Sequence, residues 1–80
     1  MRTVEYNSIL ALCGIRTLQE EGGPPPYTMR DIQMAEVRHG LGSQVWYVRD
    51  VDLKFLEGKG LIEVEGSGWE DTKVWPTVEI

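Results

Sequence analysis

The sequence predicts an α+β domain in which three helices are followed by a C-terminal two-stranded β-hairpin. Three observations predict it. Apolar residues recur at helical intervals in three successive stretches. Runs rich in Gly and Pro separate those stretches. Residues 61–80 then change to β-branched and aromatic residues on either side of Gly66-Ser67-Gly68. The chain has 80 residues. We read residues 1–80 as a single domain, of a size that buries ~60–65% of its unfolded surface.

The first helix is expected over residues 3–20. Thr3 supplies an N-cap, and Glu5 stands in the first turn near the positive end of the helix dipole. Tyr6, Ile9, Leu10 and Cys13 follow i, i+3, i+4, i+7 spacing, with Leu12 beside them. That face, Cys13 included, is expected to pack on the core. Gly14 lowers helix propensity by ~1 kcal/mol against Ala and marks a bend or a close contact. Gly22-Gly23-Pro24-Pro25-Pro26 then stops the helix.

The second helix is expected over 29–38. Thr28 is its N-cap, Asp31 occupies the third helical position of a capping-box arrangement, and Tyr27 with Ile32 forms a hydrophobic staple. Ile32 and Ala35 face inward, with Met34 and Val37 as further inward candidates. Gly40 and Gly42 end the helix, and Leu41 between them plugs the core.

The third helix is expected over 43–57, capped by Ser43. Val45, Val48, Val51, Phe55 and Leu56 share one side of its wheel. Asp52 falls within that side, an awkward place for a charge, and Arg49 one turn earlier is its natural partner. A competing reading breaks the segment into an extended Val45-Trp46-Tyr47-Val48 and a helix capped by Asp50, because those four residues favour strands. Gly58 and Gly60 end the helix. The hairpin spans residues 61–80: Leu61, Ile62 and Val64 form its first strand and Val74 to Ile80 the return. Pro76 cannot donate to a ladder, so the return strand is an edge or is interrupted there.

Composition narrows function. Apolar residues make up 41% and charged residues 26%, ordinary values for a globular chain. The longest apolar run, Ile9 to Cys13, falls far short of the ~20 residues a membrane span needs. The first residues lack the cationic-then-apolar layout of a secretory signal. One cysteine excludes an internal disulfide framework and a multi-cysteine zinc site. The expectation is a reducing, cytoplasmic setting, with no membrane, metal, cofactor or small-molecule effector. Catalysis is not expected either. His39 and Cys13 are the single residues of their kinds, and Gly58-Lys59-Gly60 lacks the spacing of a phosphate-cradling loop.

Net charge is −5, and it is uneven. In residues 61–80 Lys73 alone stands against Glu63, Glu65, Glu70, Asp71 and Glu79. Nucleic-acid binders usually carry a basic face, and this sequence displays none.

Leu53-Lys54-Phe55-Leu56-Glu57-Gly58-Lys59-Gly60-Leu61-Ile62-Glu63-Val64 resembles the stretch that closes the recognition helix and opens the wing in winged helix-turn-helix regulators. Thr28-Met29-Arg30-Asp31-Ile32 is similar to the start of their second helix, and Ser43-Gln44-Val45-Trp46-Tyr47 to the start of their third. The likeness covers nearly the whole chain and points to the superfamily of small MarR-, PadR- and ArsR-like regulators, not to one family in it. It implies a three-helix winged helix-turn-helix that binds duplex DNA as a small transcriptional regulator. Two features depart from that pattern. The third helix is about one turn too long or is broken, and the tip Gly66-Ser67-Gly68-Trp69-Glu70-Asp71 lacks the usual bases.

Two interfaces are therefore expected. For DNA, Gln44 near the start of the third helix can pair with adenine, and Tyr47 can touch phosphate. Arg30, Arg38, His39 and Lys54 can hold the backbone, with Lys73 as the one base of the wing. For protein, Trp46, Tyr47 and Trp69 are candidate aromatic anchors beside an acidic hairpin, and the partner is a second copy or another chain. Charge geometry separates the two. Arg30, Arg38, Arg49 and Lys54 gathered on one face favour DNA. Neutralisation by Asp31, Glu36, Asp50 or Asp52 favours a protein-interaction module. Pro24-Pro25-Pro26-Tyr27 also matches the PPxY pattern of WW-domain ligands, against a plainer role as a stiff loop that positions Tyr27.

Overall fold

The computed structural model describes residues 3–38 and 48–77. Helices α1 (Val4–Glu20), α2 (Met29–Arg38) and α3 (Asp50–Gly58) are followed by strands β1 (Ile62–Glu65) and β2 (Lys73–Pro76). Three helices and a C-terminal antiparallel pair make the α+β layout of a winged helix. Gln44, Trp46, Tyr47 and His39, with the expected cap Ser43 and plug Leu41, lie outside the described residues.

The N-termini predicted for α1 and α2 form as their sequences dictate. Thr3 Oγ1 accepts from the Tyr6 N–H at 3.1 Å. At α2 the box is complete: the Asp31 N–H donates to Thr28 Oγ1 and the Thr28 N–H to Asp31 Oδ2, each at 3.0 Å. Each bond satisfies one of the donors that a helix start leaves without an internal partner.

The third helix is shorter than predicted. Val48 and Arg49 precede it, Arg49 with extended φ −121° and ψ 159°, so a continuous helix from 43 to 57 is ruled out. The break has two anchors. Val48 is buried and donates its N–H to Gln33 Oε1 at 2.8 Å, a bond from α2 that an α-helix would not leave available. Arg49 takes the N-cap position, which the broken-segment reading gave to Asp50. Asp52, fully buried, then accepts from the Arg49 N–H at 3.0 Å and from its guanidinium Nε and Nη2 at 3.2 and 2.9 Å. A charge that looked misplaced on an apolar face is the residue that starts the helix. The shift in helix start also changes which side faces in: Leu53 and Leu56 are buried, Phe55 is half-buried, and Val51 is exposed.

The α1 face differs from the one its large apolar residues predict. Leu10, Ala11, Gly14 and Ile15 pack inward with Asn7, Ser8 and Thr17, while Tyr6 and Ile9 are exposed and Cys13 is half-buried. Close approach explains the choice. A Cβ built on Gly14 would lie 2.7 Å from the Ile32 carbonyl oxygen, so α1 and α2 touch backbone to backbone there. Small residues permit that approach and large ones do not. In α2 the buried partners are Ile32, Gln33, Ala35 and Glu36, with Met34 and Val37 outside.

Strand β1 pairs β2 in the register Ile62↔Pro76, Glu63↔Trp75, Val64↔Val74, Glu65↔Lys73. Val74 also bridges Tyr27: the Tyr27 N–H donates to Val74 O at 2.9 Å and the Val74 N–H to Tyr27 O at 2.8 Å. The sheet has two strands, so β2 is an edge strand that ends at Pro76, as expected, and only at Val74 does the single Tyr27 bridge cover its outer side. Continuing the Tyr27 pairing would set Pro76 against Pro25. Neither can donate, which limits that pairing to one bridge. On its other side Pro76 costs nothing. The Thr77 N–H bonds Leu61 O at 3.0 Å, so Ile62↔Pro76 is a non-hydrogen-bonded pair. The core joins Ala11 and Ile15 of α1, Tyr27, Met29 and Ile32 around α2, Leu53 and Leu56 of α3, and Ile62 and Val74 of the sheet.

Candidate nucleic-acid and protein interface

The bridge at Tyr27 ties the wing to the start of α2, and the loop between the strands strengthens the tie. Gly66 (φ +77°) and Gly68 (φ +101°) carry the turns that side chains resist. Thr72 closes the loop, its N–H and Oγ1 both donating to Gly68 O at 3.3 and 2.6 Å. The Trp69 carbonyl then accepts the Arg30 N–H at 3.1 Å, and Arg30 Nη1 lies 3.7 Å from Glu70 Oε1. The wing loop is folded back onto the first turn of α2.

Each described arginine expected to hold a phosphate or stand beside one meets a carboxylate. Arg30 faces Glu70, Arg38 holds Glu21 with contacts of 2.6 and 3.2 Å, and Arg49 holds Asp52. Glu21 and Glu70 replace the carboxylates that the sequence suggested, and only Arg49–Asp52 is as foreseen. Hydrogen bonding to Asp52 pushes the Arg49 guanidinium further up, with desolvation opposing it. Lys54 on α3 and Lys73 on β2 are exposed and have no ion pair among the described residues. Arg30 and Arg38 are exposed too, so their pairs are worth at most ~1 kcal/mol each and stay exchangeable.

Acids share these surfaces. Asp50, Lys54 and Glu57 all point outward from α3. Glu57 also serves the sheet, since its Oε2 accepts the Val64 N–H at 3.0 Å and so satisfies an edge donor of β1. Glu63, Glu65, Glu70 and Asp71 are exposed on the hairpin, and Trp69 is 37% exposed among them. Trp75 is half-buried. The PPxY tyrosine is not presented as a ligand, because Tyr27 is buried and its hydroxyl donates to Gly23 O at 2.8 Å.

Comparison with known proteins adds no relative. No family model, no curated protein and no solved structure matches this chain. Among the described residues no helix is long and apolar enough to cross a membrane, and no three His, Cys, Asp or Glu side chains gather as a metal site would require.

The site as built thus brings together Arg30, Trp69 and Glu70 at the wing. It leaves Arg38 with Glu21 at the C-terminal ends of α2 and α1, and Lys54 in neither pair. The partners that sequence reasoning missed are Glu21, which stands just before the Gly-Pro break and carried no periodicity of its own, and Glu70, which it placed only in the wing tip.

Proposed function

We propose that this chain is a winged helix used as a protein-interaction module, with the acidic hairpin and Trp69 as the surface that meets a basic partner. One observation carries the reading. The wing loop turns back on α2 and holds the Arg30 N–H, so the exposed side chains of the hairpin are mostly carboxylates and the Trp69 indole, with Lys73 as the one base among them. A duplex presents one negative charge per ~1.7 Å of its axis. It would meet that face with repulsion, and a chain of net charge −5 supplies no long-range attraction to offset it. A half-exposed Trp ringed by acids suits a basic, apolar-centred protein surface.

Duplex-DNA binding is the second reading, favoured by Lys54 on α3 and Lys73 on the wing, which hold no ion pair among the described residues. Fluorescence anisotropy of a labelled mixed-sequence duplex, at low and near-physiological salt, separates the two. The protein-module reading expects flat titrations at both salts to protein concentrations of ~10⁻⁴ M. Binding that weakens steeply with salt would sink it in favour of the DNA reading, and Lys54→Ala should then reduce the salt slope. If the titrations are flat, a partner retained by wild-type chain and released by Trp69→Ala with Asp71→Lys locates the contact on the hairpin.

A further inference from the structure

Strand β2 takes an extended segment on its outer side at one residue, and β1 has a matching opening on its own. In the register, Val64↔Val74 is a pair whose backbone groups point away from each other's strand. Val74 uses both of its groups on Tyr27. Val64 points the opposite way. Its N–H donates to Glu57 Oε2 at 3.0 Å, from the last turn of α3, and among the described residues its carbonyl accepts no hydrogen bond. Ile62 is buried, so the opening is confined to Val64. Glu63 and Glu65 flank it, both exposed and both on the other face of the strand. Among the described residues neither makes an ion pair, although Lys73 stands opposite Glu65.

We propose that the Val64 edge takes a basic extended segment of the partner, antiparallel to β1, and that Glu57 guards this edge in the free chain. The proposal rests on the protein-module reading and adds how the partner is held. The incoming residue opposite Val64 exchanges two bonds with it, as Tyr27 does with Val74: its N–H donates to Val64 O and its carbonyl accepts the Val64 N–H. Charge complementarity selects the occupant. The residues on either side of that bridge stand ~5 Å across from Glu63 and Glu65, on the face of those carboxylates, so Lys or Arg suits both places. The residue between them lies on the face of half-buried Val64 and is apolar. A second copy's β1 does not fit, because antiparallel pairing about Val64 would set Glu63 against Glu65. A free donor and acceptor at a sheet edge is a template for any strand. The Glu57 carboxylate closes the donor half of it, and the incoming segment has to displace that carboxylate to reach the Val64 N–H.

The probe is the peptide acetyl-Thr-Lys-Val-Lys-Thr-amide, titrated into the full chain and followed by NMR at the Val64 amide. One bridge and two surface ion pairs give an affinity on the order of 1 mM, so the titration runs to ~10 mM. Salt of ~0.15 M screens charges more than ~8 Å apart and leaves the contact itself to be read. The expected result is a shift of the Val64 amide. The same peptide N-methylated at its Val keeps both charges but loses the donor to Val64 O, and should bind roughly fivefold more weakly. Glu57→Ala, in a chain whose amide spectrum remains that of the folded protein, should bind the unmethylated peptide roughly threefold more tightly, since nothing then competes for the Val64 N–H. Glu63→Lys with Glu65→Lys should abolish the shift. Equal binding of the two peptides overturns the inference. So does a Glu57→Ala chain that binds more weakly than wild type, which would make Glu57 one more attracting charge, or a Val64 amide that neither peptide moves. Binding that depends on Glu63 and Glu65 but ignores N-methylation sinks the edge and leaves the basic-partner reading standing. That reading fails by its own test, duplex anisotropy, which the peptide titration does not touch.

Discussion

At Gly14 one missing Cβ decides how closely two helices approach. An added methyl would sit 2.7 Å from a backbone oxygen of Ile32 and 3.1 Å from Glu36 Cγ, and the oxygen cannot yield without moving α2. Ala is the better helix former by ~1 kcal/mol, but overpacking costs ~1–3 kcal/mol, so the clash dominates. Gly14→Ala should lower stability by ~1–2 kcal/mol, a drop in Tm of roughly 5–15 °C by circular dichroism. An unchanged Tm would mean that α2 slides aside freely. Asp52 is the second such residue. Asp52→Ala removes the carboxylate that accepts the Arg49 N–H at the start of α3 and should cost ~1 kcal/mol in urea unfolding. A loss under ~0.5 kcal/mol would show that α3 starts without it. Tyr27 is the third. Burial pushes its phenol above the ordinary 10.0. A folded-state pKa above the unfolded one contributes stability that is complete below pH ~10 and is lost as pH rises through the folded value. Wild type should therefore exceed Tyr27→Phe by ~1 kcal/mol near neutrality, through the bond to Gly23, and the gap should close in alkali. A gap that stays constant from about pH 8 to about pH 11 would contradict this.

At the scale of elements, the wing is held by backbone more than by charge. The Arg30–Glu70 pair is 3.7 Å long with side chains 59% and 68% exposed. A double-mutant cycle on it should give a coupling below ~0.5 kcal/mol. The bond from the Arg30 N–H to Trp69 O survives both substitutions, so the loop should stay on α2 in either variant. A coupling above ~1 kcal/mol would make the ion pair the true anchor. The bounds of α1 and α2 were legible in the sequence to within one residue, because Thr3, Thr28 and Asp31 act over three residues and Gly22 to Pro26 breaks any helix. The start of α3 was not. Nothing local tells Val48 to stay extended; Gln33, fifteen residues earlier, holds it.

For the whole molecule the governing quantity is the distribution of charge. The arginines were legible as exposed, and their neutralisation was not, because Arg38 and Glu21 are 17 residues apart and Arg30 meets Glu70 only when the wing folds back. If repulsion from the hairpin is what excludes a duplex, reversing Glu63, Glu65 and Asp71 to Lys makes the net charge positive and should create salt-dependent duplex binding. Anisotropy at low salt reads it directly. A variant as inert as wild type would show that shape, not charge, keeps the duplex away.

The sequence by itself determined the α+β class, the order of three helices and a hairpin, the caps of α1 and α2, and an acidic C-terminal quarter. Each of these follows from interactions within a few residues or from composition alone. Tertiary structure decided which face of α1 is buried, where α3 begins, and how far the wing stands from α2. Those depend on backbone approach at Gly14, on a side-chain bond between α2 and Val48, and on the pairing of Tyr27 with Val74, all contacts between segments distant in the chain. Periodicity ranks residues by how apolar they are. Close packing selects by size, and at Gly14 size prevailed.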